Sequence, residues 1–339
     1  MSSFKKKPQK KTKSQVKKLV PAVPKSRPQQ WIPPFPKATT KQKTKTVKKA
    51  DEPVLQPKLV HEKPTYILPA PQKSDPVVPE VDKVEEKTNP RDQEIRKEFM
   101  RIFKQLTYRW RSWDIWTDFI TMAACAISNS VDELHYEERE ELYLRTINKY
   151  SKEEQMLFPE LFANLVLALE ENQEQDFLGD IYTELGLNSK EHMQIFTPYH
   201  IAHLMAMITI NDVAQQIEEK GVVTIHDHCC GGGVTLIAAT NVAREKLANT
   251  NWNYQDRLLV TGQDIDPVVT MMCYIQLSLL GIAGYFKVGN SLTDPMDSGD
   301  RLDNYWFTPI YYFPVWRLRR IFWESEKLFQ AQSEQGGNE

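Results

Sequence analysis

Between Thr224 and Leu236 the chain reads Thr-Ile-His-Asp-His-Cys-Cys-Gly-Gly-Gly-Val-Thr-Leu, a carboxylate, two imidazoles and two thiols set directly before three glycines. Glycines after a carboxylate let the backbone approach a small molecule closely, and a helix beginning there offers it free N–H groups. A ligand-holding turn is the chemistry this spacing suggests. The dinucleotide pattern is not met, because Gly231-x-Gly233 is followed at the third glycine's place by Leu236. His226, His228, Cys229 and Cys230 together resemble a metal set, yet no Cys-x-x-Cys or His-x-x-x-His pair accompanies them and alternate strand residues point apart. No metal site is expected. His200 and His203 share a helical face without a nearby carboxylate or third histidine, and are read as ordinary helix-surface residues.

The elements that must position this turn follow from periodicity. Val222, Val223 and Ile225 form a β-branched run, and Val234 to Leu247 returns to helical spacing, which predicts strand, glycine turn, helix. A second strand is predicted over Arg257 to Gly262, leading to Gln263-Asp264-Ile265-Asp266-Pro267 and a helix from Val268 to about Leu280. An acid at the tip of the second strand of a doubly wound sheet is placed to accept from two ribose hydroxyls, and Asp264 holds that position. A third short strand, Tyr285 to Val288, leads into Gly289-Asn290-Ser291-Leu292. Upstream lies Phe196-Thr197-Pro198, where Thr197 is expected to cap a helix that Pro198 starts and that runs to about Glu219.

From Arg91 to Leu187 the pattern is helical: Ile95, Phe99, Ile102, Phe103 and Leu106 recur on one face. Trp110, Trp113 and Trp116 continue at intervals of three and are expected in the core, although such a stripe could stack on bases. Ser151 with Glu154 forms a capping box, and Gly186 marks a helix stop. The first ninety residues differ. Residues 1 to 50 hold 16 Lys or Arg and no acid; against chain totals of 43 basic and 45 acidic residues, that leaves 27 basic and 45 acidic for the rest. Of 21 prolines, 15 precede residue 91. Such a segment cannot bury a core and is expected to be disordered, with Lys5 to Lys49 available for DNA phosphates. The island Trp31-Ile-Pro-Pro-Phe-Pro reads as stiff linker. No apolar run reaches the roughly 18 residues of a membrane span, no secretory signal is present, and the four cysteines have no disulfide-framework spacing, so a cytoplasmic protein with reduced thiols is expected.

In this order, the Phe-Thr-Pro segment, the Asp-His-Cys-Cys-Gly-Gly-Gly turn, Gly-Gln-Asp-Ile-Asp-Pro and Gly-Asn-Ser-Leu resemble the S-adenosylmethionine region of adenine-N6 DNA methyltransferases. The likeness is to modification subunits of type I restriction systems and related phage or mobile-element methylases, over about residues 91 to 295. The resemblance implies that Phe196, Thr197 and Pro198 close over the methionine end of the cofactor. It maps the family's Asp-Pro-x-Cys-Gly-x-Gly turn onto Asp227, Cys230, Gly231 and Gly233, with His228 at the proline position. The ribose acid becomes Asp264, and the adenine-reading residue Asn290, where Asp is more usual.

The family's Asn-Pro-Pro-Tyr or Phe, whose amide and aromatic ring hold a flipped adenine, occurs nowhere here. Asp294 and Pro295 are the nearest catalytic substitute; Tyr305-Trp306-Phe307 and Tyr311 to Trp316 could stack on a base or cover a sheet edge, the latter being favoured. The resulting expectation is an α/β protein: a disordered basic tail over 1–90, a helical domain over 91–190, a truncated Rossmann-like methyltransferase domain over 191–325, and a frayed acidic end over 326–339. It carries two functional readings. One is an S-adenosylmethionine-dependent adenine-N6 DNA methyltransferase; the other is a lapsed or split cofactor-binding subunit that needs a specificity or catalytic partner for the target base.

Overall fold

The computed structural model describes residues 89–187, 196–297, 300–323 and 325. The expected disordered tail, but for its last two positions, and the expected frayed end lie outside them. Five helices come first: α1 (Pro90–Leu106), α2 (Ser112–Asn129), α3 (Tyr136–Ile147), α4 (Lys152–Glu171) and α5 (Phe177–Glu184). Their ends carry the signals that start and stop helices. The Asn89 side chain accepts from the Arg91 N–H with Pro90 in the first turn, Ser151 and Glu154 form a reciprocal capping box, and Gly186 takes a left-handed φ of 65° just beyond α5.

The second half is built from α6 (Tyr199–Thr209), α7 (Val213–Lys220), β1 (Val223–Asp227), α8 (Val234–Leu247), α9 (Tyr254–Arg257), β2 (Leu258–Asp264), α10 (Pro267–Leu279), β3 (Ala283–Val288) and β4 (Tyr305–Phe307). The sheet order is β1-β2-β3-β4, with the first three strands parallel and β4 antiparallel to β3. Parallel neighbours need crossovers, which α8 and α10 supply, so both faces of the inner strands demand cover. On one face Val260 and Phe286 pack with α8 and α10 into a core that continues through Trp116, Phe119 and Phe177 of the helical half. On the other, Leu259, Tyr285, Tyr305 and Phe307 pack with Tyr311 and Trp316. Trp116 is fully buried, whereas Trp113 is 40 % exposed.

Three local expectations are corrected. The helix after Phe196 begins at Tyr199 with Pro198 itself as N-cap and no side-chain cap, so Thr197 does not cap it. It also does not run to Glu219: the chain breaks at Ile210–Asp212, where Asp212 takes φ 50°, and restarts as α7. Ala202 and Ala206 let α6 approach α8 closely, and the Lys246 amino group donates to the Ile210 carbonyl freed at the break and to the Asn211 side-chain oxygen, a cation at a helix C-terminus. The second strand runs on to Asp264, two residues past its expected end, because Gln263 and Asp264 keep their register with Lys287 and Val288.

Tyr305–Phe307 closes the β3 edge and its side chains are buried. What holds it there is a buried polar knot from the helical half. Arg139 lies 3.9 Å over the Trp306 ring, donates to the Tyr305 carbonyl and to Asp132 at 2.9 Å, and His135 joins Asp132 at 2.7 Å and the Leu302 carbonyl at 2.9 Å. An arginine fork suits this task because it satisfies several acceptors from one fixed plane.

Candidate functional site

In an open α/β sheet, ligands bind outside the carboxyl ends of the strands. The carboxyl ends of β1 and β2 here face a cavity of about 190 Å³ lined by Phe196, Thr197, Cys229, Cys230, Gly231, Gly232, Val234, Thr235, Asp264 and Val269. Five sequence-selected residues meet there: Phe196, Thr197, Cys230, Gly231 and Asp264. Four do not line it. Pro198 caps α6, Gly233 is the N-cap of α8 at φ 100°, and Asp227 and Asn290 are engaged within their own turns.

The turn's shape follows from these bonds. Asp227 accepts from the Cys229 N–H at 2.9 Å and from the Thr235 hydroxyl, so both its oxygens brace the turn. The Cys230 N–H donates to the Gln263 carbonyl and the Gly233 N–H to the Cys230 carbonyl, folding the glycines against the end of β2. Gly231 adopts φ 51°. A Cβ at Gly232 would stand 3.1 Å from the Phe196 ring, a tight contact, and one at Gly233, where φ is 100°, would stand 2.9 Å from the Cys273 sulfur, so it is at Gly233 that the close approach demands glycine.

Asp264 is the most exactingly placed polar group. One carboxylate oxygen accepts from the Gly231 N–H at 2.9 Å and the other from the Asp266 N–H at 3.1 Å. Burial pushes its carboxyl above the usual range, only partly offset by the Asp266 and Gly231 N–H groups. A desolvated carboxylate with lone pairs left over is an acceptor for hydroxyl donors. Asn290 accepts through its amide oxygen from the Leu292 and Thr293 N–H groups at 2.9 and 3.3 Å, which leaves its amino group as the donor it can offer outward.

Sequence reasoning missed the support beneath the turn. The Gln276 amide donates to the Gly232 carbonyl at 2.9 Å and to Asp176 at 2.8 Å, and accepts from the Leu178 N–H at 3.1 Å. All three partners are distant in sequence and a lone glutamine in an apolar helix has no motif, so only the polar outlier among the buried residues of α10 hinted at it.

Asp294 and Pro295 stand apart from the cavity. Lys287, its side chain 3 % exposed, donates to Asp294 at 2.8 Å, to Asp300 at 2.6 Å and to the Pro295 carbonyl at 3.3 Å, and the Tyr305 hydroxyl donates to Asp300. Burial alone would lower the Lys287 ammonium; the two carboxylates more than reverse this and hold it above its ordinary value. The ammonium thus pins the loop that carries Asn290. Lys287→Met is expected to leave two facing carboxylates and lower stability by about 2 kcal/mol, below the loss for a wholly buried pair because Asp294 is half exposed; urea denaturation measures it.

A larger concavity of about 450 Å³ on α1 is lined by Arg96, Lys97, Arg101, Lys104 and Glu184, but Arg96 is paired with Glu184 and Arg101 with Glu98. It lies away from the strand ends. Among the described residues no group of three or more His, Cys, Asp or Glu could hold a metal, and no helix is long and apolar enough to cross a membrane.

No curated protein matches the chain. A candidate class I S-adenosylmethionine-dependent methyltransferase of known structure from Listeria monocytogenes aligns at 15 % identity and a TM-score of 0.31, over 60 % of this chain and 55 % of that one. The chain therefore spans about half the length of that protein. Residues 173–322, which hold the cavity, the glycine turn and the whole sheet, match the N-6 DNA Methylase family.

Proposed function

We propose that this chain binds S-adenosylmethionine at the carboxyl ends of β1 and β2 and serves methyl transfer to the exocyclic amino group of adenine in DNA. The observation that carries the reading is the meeting of Phe196, Thr197, Cys230, Gly231 and Asp264 around one cavity, within the span that matches the family. The donor set fits the group: Asp264 would accept from the ribose hydroxyls, the Gly231–Gly233 turn allows backbone contact, and Phe196 covers the methionine end. A cavity of about 190 Å³ is small beside the roughly 300–1,000 Å³ of ordinary ligand sites, so it would enclose only one part of the ligand, and Asn290, in the turn after β3, would be the residue to meet the adenine end. When bound, the cofactor supplies an electrophilic methyl group on sulfur. The protein's own contribution is to fix that group's direction and exclude water, which is positioning.

Positioning the target base is a separate task, and two observations favour its being met from outside the described residues. Asp294, the nearest candidate acceptor for the amino protons, is held by Lys287, and the aromatic residues of β4 are buried in the core rather than offered to a base. The basic segment Lys5 to Lys49 would contribute salt-dependent attachment to DNA. Incubation with radiolabelled cofactor and mixed-sequence DNA tests the reading. The expected outcome is saturable cofactor binding with little label in adenine; stoichiometric label, lost on Asp294→Ala, would show that these residues hold the base after all. Calorimetry with no heat and no thermal shift would remove the cofactor reading itself.

A further inference from the structure

One short helix of the helical half reaches the cavity from both of its ends. At its start, Asp176 accepts from the Gln276 amide, which also donates to the Gly232 carbonyl, so the N-cap of α5 is tied to the glycine turn. Farther along α5, Tyr182 faces Phe196: the ring centroids are 5.3 Å apart and the planes are tilted by 56°. Burial, helped by the nearby charge of Asp266, pushes the Tyr182 phenol up to about 12, which sets its hydroxyl end near the N-cap of α10. The Tyr182 ring has no room to move. It is fully buried, with Trp116 5.8 Å and Trp113 6.1 Å away, ring to ring. Phe196 is different, being half-buried on a segment, 196–198, that belongs to no helix or strand, so regular backbone structure does not fix its ring. Contact must do so. The ring meets Tyr182 on the helical side and comes so near the turn that a Cβ on Gly232 would stand 3.1 Å from one of its carbons.

We propose that Tyr182 is a positioning residue of the cofactor site, its ring holding Phe196 in the orientation that covers the methionine end of S-adenosylmethionine. This rests on the cofactor reading above and deepens it, giving the helical half a part in ligand binding that no sequence motif marks. The physical reason is preorganisation. A ring already held in its bound rotamer spares the ligand the cost of ordering it, and tilted aromatic pairs at this distance hold each other beyond simple area burial. The effect is confined to one end of the ligand. Asp264, which takes the ribose in that reading, is fixed by the Gly231 and Asp266 backbone N–H groups and keeps its place when the Tyr182 ring is removed. A ring that only filled the core would have no such preference, since a loosened core would lower the affinity for every part of the ligand alike.

Calorimetric titration of the full chain with two probes separates positioning from core filling. S-adenosylmethionine carries both ends, whereas 5′-methylthioadenosine keeps the nucleoside and the sulfur but lacks the amino-acid end. Tyr182→Leu is expected to weaken the first by about tenfold and to leave the second within about twofold of wild type. Tyr182→Phe keeps the ring and should restore the cofactor affinity. Phe196→Leu is expected to show the same split, and adding Tyr182→Leu to it should cost little more, because the wall then has no ring to hold. Equal losses for the two probes, additive losses in the double variant, or unchanged cofactor affinity in Tyr182→Leu each overturn the proposal. If the leucine form does not fold, fluorine NMR of the full chain labelled with 3-fluorotyrosine takes its place. The resonance missing from Tyr182→Phe should shift with S-adenosylmethionine and stay with 5′-methylthioadenosine; one that ignores the cofactor overturns the proposal. Failure of the parent reading looks different, since the wild-type chain would then bind neither probe.

Discussion

Replacing Asp264 by alanine is expected to weaken S-adenosylmethionine binding by about 3 kcal/mol, roughly a hundredfold or more in Kd. The carboxylate sits at the last residue of β2 with each oxygen already bonded to one backbone N–H, from Gly231 and Asp266. Two ribose hydroxyls donating to the remaining lone pairs would each make a charge-assisted bond, worth about 1.5–3 kcal/mol apiece. Alanine removes both and also frees the Gly231 N–H, so the turn loses its tie to β2. Asp264→Asn separates these effects: its one amide oxygen can hold the Gly231 N–H while the charge is gone. Calorimetric titration of both variants checks the order, with the asparagine form expected between wild type and alanine. Equal affinities in all three would mean that the ligand does not reach Asp264.

A comparable effect, on stability rather than binding, is expected at Asp176. This residue caps α5, is 3 % exposed, and accepts from the Gly179 N–H at 2.9 Å and the Gln276 amide at 2.8 Å. Burial outweighs those bonds and raises its pKa to about 6. The unfolded chain's aspartates titrate near 3.9, so between about pH 4 and 6 the folded state holds a proton that the unfolded state has released. Stability from this group is therefore greatest at low pH and is lost as pH rises through the folded value. At neutral pH the buried charge costs about 3 kcal/mol. Asp176→Asn keeps an acceptor for the Gly179 N–H without a charge, and is expected to raise stability at pH 7 by about 2–3 kcal/mol and by little at pH 4. Asp132 works in the opposite sense. Burial pushes it up, but the His135 and Arg139 contacts prevail and leave it lowered, so its contribution is present above the unfolded value and is lost as pH falls. The difference between asparagine variant and wild type, measured by denaturant titration across pH, isolates the Asp176 component. A difference that does not change with pH would show that Asp176 stays protonated or hydrated throughout.

Local signals in the sequence determined much of this molecule. Ser151 with Glu154, Gly186, the strand–glycine–helix unit from β1 to α8, and Asp264 at a strand tip are each written in neighbouring residues, because caps, turns and periodicity depend on a few positions along the chain. The β4 edge strand was legible only as an aromatic cluster, since three residues carry too short a pattern to choose strand over loop; Arg139 and His135, more than 160 positions away, settle it. The break at Ile210–Asp212 was missed because the apolar period continues across it, and the gain that offsets it comes from Lys246 on another helix. Motif order nominated nine cofactor residues, but tertiary structure divided them. Five line the cavity, while Pro198, Asp227, Gly233 and Asn290 shape the turns that present it. The same division explains Asp176 and Gln276, which no pattern marks. Their roles come from burial beside Gly232, and burial is a property of the assembled core rather than of any stretch of sequence.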